Sequence, residues 1–170
     1  SPVSFGLYQG MAVPSYVDID SIEQLNANAD KLGNRIIGIE PGSGLMSDAN
    51  NVVKAYDIKL KLVEGSTSAM TAALKSAVDR KEWVAVTVWD PSWMTKKFDL
   101  KFLKDPKGVF PPLQGYYWIG HKGFAEANPR ARELMAGVYV PITDITAMNA
   151  EVKDGKTMDE AIKGWIDSHT

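Results

Sequence analysis

Cysteine is absent from the 170 residues, which removes disulfide scaffolds, thiolate metal sites and thiol nucleophiles from consideration. Histidine is scarce, at two positions. His169 stands one residue from the end, where fraying is expected, and His121 follows an aromatic run as a surface or core residue. General acid–base chemistry therefore has little to start from. No G-x-S-x-G elbow, H-E-x-x-H helix or EF-hand loop is present. Asp48, Asp79 and Asp99 fall at positions expected to face water. No apolar run approaches the roughly 20 residues of a membrane-spanning helix. An excess of one charge is missing too: 19 basic against 21 acidic residues, net −2, leave no electrostatic footprint for nucleic acid. At 45% hydrophobic and 24% charged the composition is globular, with one domain as the default and room for two small lobes. Ser1 opens the chain with no positively charged leader region, as expected of a mature or truncated form.

What is present is a regular change of apolar period between Arg35 and Trp89. Arg35-Ile-Ile-Gly-Ile-Glu40 is a short β-branched run broken by Pro41-Gly-Ser-Gly44. Leu45, Ala49, Val52, Val53 and Tyr56 then recur at helical spacing. Ile58 to Val63 alternates, which predicts a half-buried or edge strand. Gly65-Ser-Thr-Ser68 offers a cap for a helix buried through Met70, Ala73, Leu74, Ala77 and Val78, and Trp83 to Trp89 reads as a buried strand. The block is a βαβαβ unit with right-handed crossovers.

The flanks are less regular. Leu7 to Val13 predicts a strand entering from a neighbouring lobe, and Asp20-Ser-Ile-Glu23 a capping box toward Leu25. Asp99 to Pro112 reads as a loop with three prolines, and Tyr116 to Gly120 as a strand. Asn128-Pro129 predicts an N-cap and first helical residue, with a helix through Met135. Asp144 is placed to cap a helix carrying Ile145, Met148 and Val152. Thr157-Met-Asp-Glu160 forms a second capping box, ahead of Ala161, Ile162, Trp165 and Ile166 on one face.

Two places carry binding chemistry. Gly42, Ser43 and Gly44 lie between a strand and a helix, where backbone N–H groups receive anions and glycine permits close approach. A dinucleotide fingerprint would need glycine where Ser47 stands, with Glu64 as ribose-binding acid, so the match is partial. A ligand-free tight turn and contact with another small ligand are the other readings. Trp89-Asp-Pro-Ser-Trp93 falls beyond the carboxyl end of the third strand, where open α/β sheets bind ligands. An indole there offers its π-face to a cation, quaternary ammonium above all. Both tryptophans could equally plug the sheet end.

Several motifs together resemble the glycine betaine/proline betaine substrate-binding proteins of ABC importers. They are Ile36-Ile-Gly-Ile-Glu-Pro-Gly-Ser-Gly44, Gly65-Ser-Thr-Ser-Ala-Met70, Val86-Thr-Val-Trp-Asp-Pro-Ser-Trp93 and Asp99-Leu-Lys-Phe-Leu-Lys-Asp-Pro106. Lys122-Gly-Phe124, Asn128-Pro129, Asp144-Ile-Thr-Ala-Met-Asn149 and Trp165-Ile166 continue the likeness, which is collinear from about Met11 to the C-terminus.

The resemblance implies a three-layer α/β lobe of the type II periplasmic-binding-protein class. Residues 1–125 would form the ligand-binding lobe and 126–170 the C-terminal helices that return to a first lobe. It implies capture of compatible solutes for osmoprotection, in the periplasm or otherwise outside the cytoplasmic membrane, with hand-over to a permease and ATPase. No enzymatic step, cofactor or metal is implied. The cation would sit in an aromatic cage and the carboxylate on backbone amides and polar side chains. Trp89 aligns with a cage tryptophan, with Trp93, Gly42, Ser43 and Gly44 at the cleft edge. Relatives carry a further tryptophan in the turn, where this chain has Ser43, or near the position of Tyr139, whose ring is the substitute. Ser92 stands where many relatives read histidine. The family's first half-lobe has no counterpart here, and would be supplied in cis, in trans or by swapping. The faces at Met148 and Trp165 are then expected to pack on the lobe itself or on a second copy, as a homodimer. A small nucleotide-binding enzyme using the Pro-Gly-Ser-Gly turn, or an assembly lobe that binds nothing, are the alternatives.

Overall fold

A computed structural model describes residues 2–169. Their chain separates into two compact units, Gln9–Pro112 and the described residues outside that range. The sequence-based division stood at 125/126.

In the first unit the expected alternation forms. After β1 (Ser4–Pro14), whose second half belongs here, come β2 (Arg35–Ile37), α1 (Gly44–Ala55), β3 (Lys61–Val63), α2 (Thr67–Asp79), β4 (Val86–Asp90), α3 (Trp93–Lys97) and β5 (Leu100–Phe102). The strands run in the order β3-β2-β4-β1-β5. β2 is parallel to β3 in the register Arg35↔Lys61, and parallel to β4 with Ile37↔Val86. β1 and β5 are antiparallel, Ala12↔Phe102. β3 is the sheet edge that alternation predicts, with Lys61 exposed and Leu62 half-buried. Leu45, Met46, Ala49 and Val52 of α1 and Met70, Leu74 and Ala77 of α2 are buried. They join Ile36, Val86 and Val88 in one apolar cluster, whose members all lie between Met11 and Phe110. Full burial of each large aliphatic side chain contributes roughly 1.5–3 kcal/mol.

The second unit pairs the start of β1 with β6 (Gln114–Tyr116), antiparallel, with a register shift between Phe5 and Leu7. Gly6 sits at that bulge with φ +115°, a conformation that side chains resist. Helices α4 (Phe124–Ala127), α5 (Pro129–Gly137), α6 (Ile142–Lys153) and α7 (Met158–Ser168) follow. α6 packs on α7; Trp165 Nε1 donates to Asp144 Oδ2 at 2.8 Å. So Trp165 finds its partner within its own unit.

Several sequence expectations shift. The first capping box is Ser21 with Gln24, one residue later than Asp20 with Glu23, and it opens a 3-10 turn at Ile22–Gln24. The Asp99–Pro112 stretch contains β5, because Leu100, Lys101 and Phe102 satisfy the free edge of β1. The strand expected at Tyr116–Gly120 ends at Tyr116; Tyr117, Trp118 and Ile119 run on exposed. Asp144 lies inside α6, which Pro141 precedes, and its carboxylate serves Trp165 instead of a cap. Asn128 occupies the N-cap position of α5, but its amide donates back to Phe124 O at 3.2 Å. Thr157 and Glu160 make both bonds of their box. His169 is held, not frayed: its ring stacks on Trp165 at 4.5 Å and Nδ1 lies 2.8 Å from Trp165 O. Asp48, expected in water, is half-buried and accepts from Gln9 Nε2. Asp79 and Asp99 are exposed.

Candidate functional site

The chain leaves β2 toward β3 on one side, and leaves β4 toward β5 on the other. The crevice between the carboxyl ends of β2 and β4 is therefore the switch point of the sheet, the place where open α/β folds receive ligands. In the parallel register Ile37↔Val86, Glu40 and Trp89 are each three residues further on. The turn Glu40–Gly44 and the segment Trp89–Trp93 thus come level at this edge, joined by the loop that follows Val63.

Each loop ends on a serine that caps the next helix. Ser43 accepts from Met46 N at 3.3 Å, Ser66 from Ala69 N at 3.1 Å, and Ser92 from Met94 N at 3.2 Å. These bonds satisfy orphan amides and set the angle at which each helix leaves the edge. Gly42 takes φ +86°, which explains glycine there; a Cβ at Gly42 or Gly44 would meet open space. Ser47, at the third position of a dinucleotide fingerprint, is exposed on α1. Ser92 is buried at 4% exposure and engaged as a cap.

Trp89 is half-buried on β4 and packs against the core cluster. Trp93 is half-buried too, with Phe98 at 5.8 Å and the Lys97 ammonium 5.7 Å from the ring centroid. An ammonium already over Trp93 competes with any cationic guest for that ring. Tyr139 belongs to the other unit and is 55% exposed.

Residues that motif reading passed over hold the edge together. The Glu40 carboxylate accepts from Thr67 N at 2.8 Å and from Thr67 Oγ1 at 2.7 Å, tying the β2 turn to the start of α2. Those donated bonds hold its carboxyl below the usual carboxylate range, so it is ionised at neutral pH. The Thr95 hydroxyl donates to Asp90 Oδ1 at 3.0 Å, bracing the other loop. The two acids line the edge with negative charge, which suits a cation. Met46 is 1% exposed, and its thioether is the acceptor for Ile39 N–H at 3.4 Å. Sulfur is a weak acceptor, so this buried amide is only weakly satisfied. Gly38 matters for the same reason, since a Cβ there would lie 2.5 Å from the Met46 sulfur. A Glu followed by a Thr across a gap of 27 residues leaves no local sequence signal.

Two cavities lie away from this edge. One, of about 400 Å³, opens near the amino ends of β2 and β4 and includes Arg35, Arg80 and Trp83. The other, of about 620 Å³, lies in the second unit between Trp118, Phe124 and Met135. His121 borders it, exposed, with its ring edge-on to Phe124 at 5.8 Å. Among the described residues no group of acidic or histidine side chains is arranged to hold a metal ion, and no helix is long and apolar enough to cross a membrane.

The family described as the substrate binding domain of ABC-type glycine betaine transport systems matches residues 1–168. The chain belongs to it. Among relatives of this glycine betaine family, the glycine betaine/carnitine transport binding protein GbuC of Listeria monocytogenes is 37% identical over 140 residues, 81% of this chain and 47% of its own. The glycine betaine/proline betaine-binding periplasmic protein of Escherichia coli is 27% identical, over 79% of this chain and 49% of its own. The chain thus spans about half the length of these relatives. Lactococcal OpuAC, in its closed-liganded conformation complexed with glycine betaine, superposes with a TM-score of 0.87 at 37% identity, covering 99% of this chain and 66% of that one. ProX from Borrelia burgdorferi gives 0.83 at 29% identity, over 96% and 63%. The α/β class of these periplasmic-binding-protein neighbours is the class expected from the motifs. The family is one of solute-binding domains rather than enzymes.

Proposed function

We propose that this chain is the ligand-binding part of an extracytoplasmic solute receptor that delivers glycine betaine, or a related quaternary ammonium solute, to an ABC permease and its ATPase. The observation that supports the reading is the place of Trp89 at the carboxyl end of β4, level with Glu40 in the β2–β4 register. A methylated ammonium cannot donate hydrogen bonds, so a ring face and nearby negative charge are what recognise it. Trp89 supplies the ring, and Glu40 and Asp90 the charge. The Gly42–Ser43–Gly44 turn, exposed at both glycines, receives the carboxylate end. Trp93, already under Lys97, mainly shapes the wall. The role is binding without catalysis, and the energy of transport comes from the ATPase.

A ligand that binds only the folded state raises its stability. A thermal-shift and calorimetric panel of glycine betaine, proline betaine, carnitine, choline and NAD separates the readings. Stabilisation by one or more quaternary ammonium compounds and none by NAD is the expected result. Stabilisation by NAD alone would replace this function with nucleotide binding at the Pro41–Gly44 turn. No response to any of the five would leave an assembly role.

A further inference from the structure

The cavity at the amino ends of β2 and β4 lies at the opposite end of the sheet from the Trp89 edge: Arg35 opens β2, and Glu40 lies beyond its other end. Its volume of about 400 Å³ is that of a small-ligand site. The floor is apolar, with Leu32, Ala77 and Val84 at 3–7% exposure. Above it stand donors with nothing to donate to. The Arg35 guanidinium, the Trp83 indole N–H and the Ser76 hydroxyl find no acceptor among the described residues. The Lys31 ammonium lies 4.7 Å from the Trp83 ring centroid and has no carboxylate partner there. The two acids of the cavity are already engaged. Glu82 holds Arg80 at 2.9 Å, and Asp30 accepts from Asn34 Nδ2 at 3.4 Å.

The strand register adds a second observation. Arg35 is the direct partner of Lys61 on β3, which is also exposed and has no acidic partner among the described residues. Neighbouring strands lie about 4.8 Å apart, and like charges side by side across them repel. An anion held at Arg35 relieves that repulsion. We propose that this cavity binds a small organic carboxylate with an apolar body, at a site separate from that of the quaternary ammonium solute. The planar Arg35 fork matches both oxygens of a carboxylate. Trp83 N–H adds a donor, Lys31 and Lys61 add positive charge, and the ligand body rests on Leu32, Ala77 and Val84. A phosphate dianion fits less well, because Asp30 and Glu82 stand in the same cavity and an apolar floor gives it nothing.

The test is titration of the nitrogen-15-labelled chain with sodium benzoate at constant ionic strength. It is read by NMR at the Trp83 indole N–H and the backbone amides of 31–37 and 76–84. Benzamide, which has the same shape without the charge, and inorganic phosphate are titrated in parallel. Benzoate should give saturable shifts confined to these positions, and benzamide none. Arg35→Gln, at an exposed position, should keep the melting temperature and weaken benzoate binding about ten-fold or more, since charged hydrogen bonds are lost. Trp83→Phe keeps a ring, removes one donor and should weaken binding roughly three-fold. Absence of saturation by benzoate, an equal response to benzamide, or unchanged affinity in either variant would overturn the proposal. Saturation by phosphate in preference to benzoate would overturn the carboxylate class. Betaine is not in the titration, so this proposal and the solute reading fail separately.

Discussion

Gly38→Ala probes the joint between the β2 turn and the helix behind it. A methyl group at this position would stand 2.5 Å from Met46 Sδ, 2.6 Å from Met46 Cε and 2.9 Å from Val63 O. The thioether is flexible but 1% exposed, and the Val63 carbonyl is fixed by the 2.7 Å bond it accepts from Gly38 N. Overpacking of this kind costs about 1–3 kcal/mol. Replacing glycine returns roughly 0.4–1 kcal/mol through the unfolded chain, so the clash wins. A net loss of about 1–2 kcal/mol lowers the melting temperature by roughly 2–8 °C at this chain length. Met46→Ala alone should cost about 2–5 kcal/mol as a cavity mutation. Because it removes both sulfur and methyl contacts, Gly38→Ala should cost at least about 0.5 kcal/mol less in its presence. Urea unfolding of the four proteins, followed by circular dichroism, measures that coupling. Strict additivity, or an unchanged midpoint for Gly38→Ala, would refute the reasoning, since the clash would then be relieved elsewhere.

Trp89→Leu keeps the position apolar while removing the π-face, worth about 2 kcal/mol toward a desolvated cation; betaine affinity by calorimetry should fall roughly thirty-fold, and an unchanged affinity would remove Trp89 from the cage. Glu40 titrates below the ordinary carboxylate range because Thr67 donates to it. Its contribution to stability is therefore complete above that range and is lost as pH falls through its depressed value; acid unfolding of Glu40→Gln should be less steep there than the parent's. Tyr56 has the opposite sign. Desolvation, and donation of its hydroxyl to Asp105, push its pKa up to about 12, so the neutral phenol stabilises the fold fully below pH about 10 and the benefit fades toward 12. Alkaline denaturation of Tyr56→Phe should lack that slope, with phenolate absorbance reporting the titration. Trp165→Ala leaves the Asp144 carboxylate without its 2.8 Å donor. It should cost about 1–3 kcal/mol, less than the loss of a fully buried indole, while betaine affinity stays unchanged.

The βαβαβ block was legible because its signals are local: the apolar period changes at Arg35, Leu45, Lys61 and Met70, and Ser66 caps where it stands. Errors arose where a partner distant in sequence decides. Leu100–Phe102 becomes a strand only because β1 offers an edge 90 residues away in the pairing Ala12↔Phe102. Asp144 would cap a helix in isolation, but Trp165 claims it. His169, which fraying should free, is held by the same indole.

For the site, the residue types at the strand ends were readable from the sequence, Trp89 and Gly42–Gly44 among them, since a strand's carboxyl end follows from its pattern. Which strand ends meet was not readable. That required the order β3-β2-β4-β1-β5, which turns two separate loops into the walls of one crevice. It also required the Glu40–Thr67 bonds and the Met46 thioether under Ile39, contacts across many residues that no periodicity encodes. Likewise, amphipathic spacing in α7 predicts that Ile162 and Ile166 want cover, but only three-dimensional burial reveals that, among the described residues of their unit, Ala161 is the one buried hydrophobic side chain. Period is a property of neighbouring residues along the chain, whereas burial depends on what the rest of the polypeptide brings to the same place.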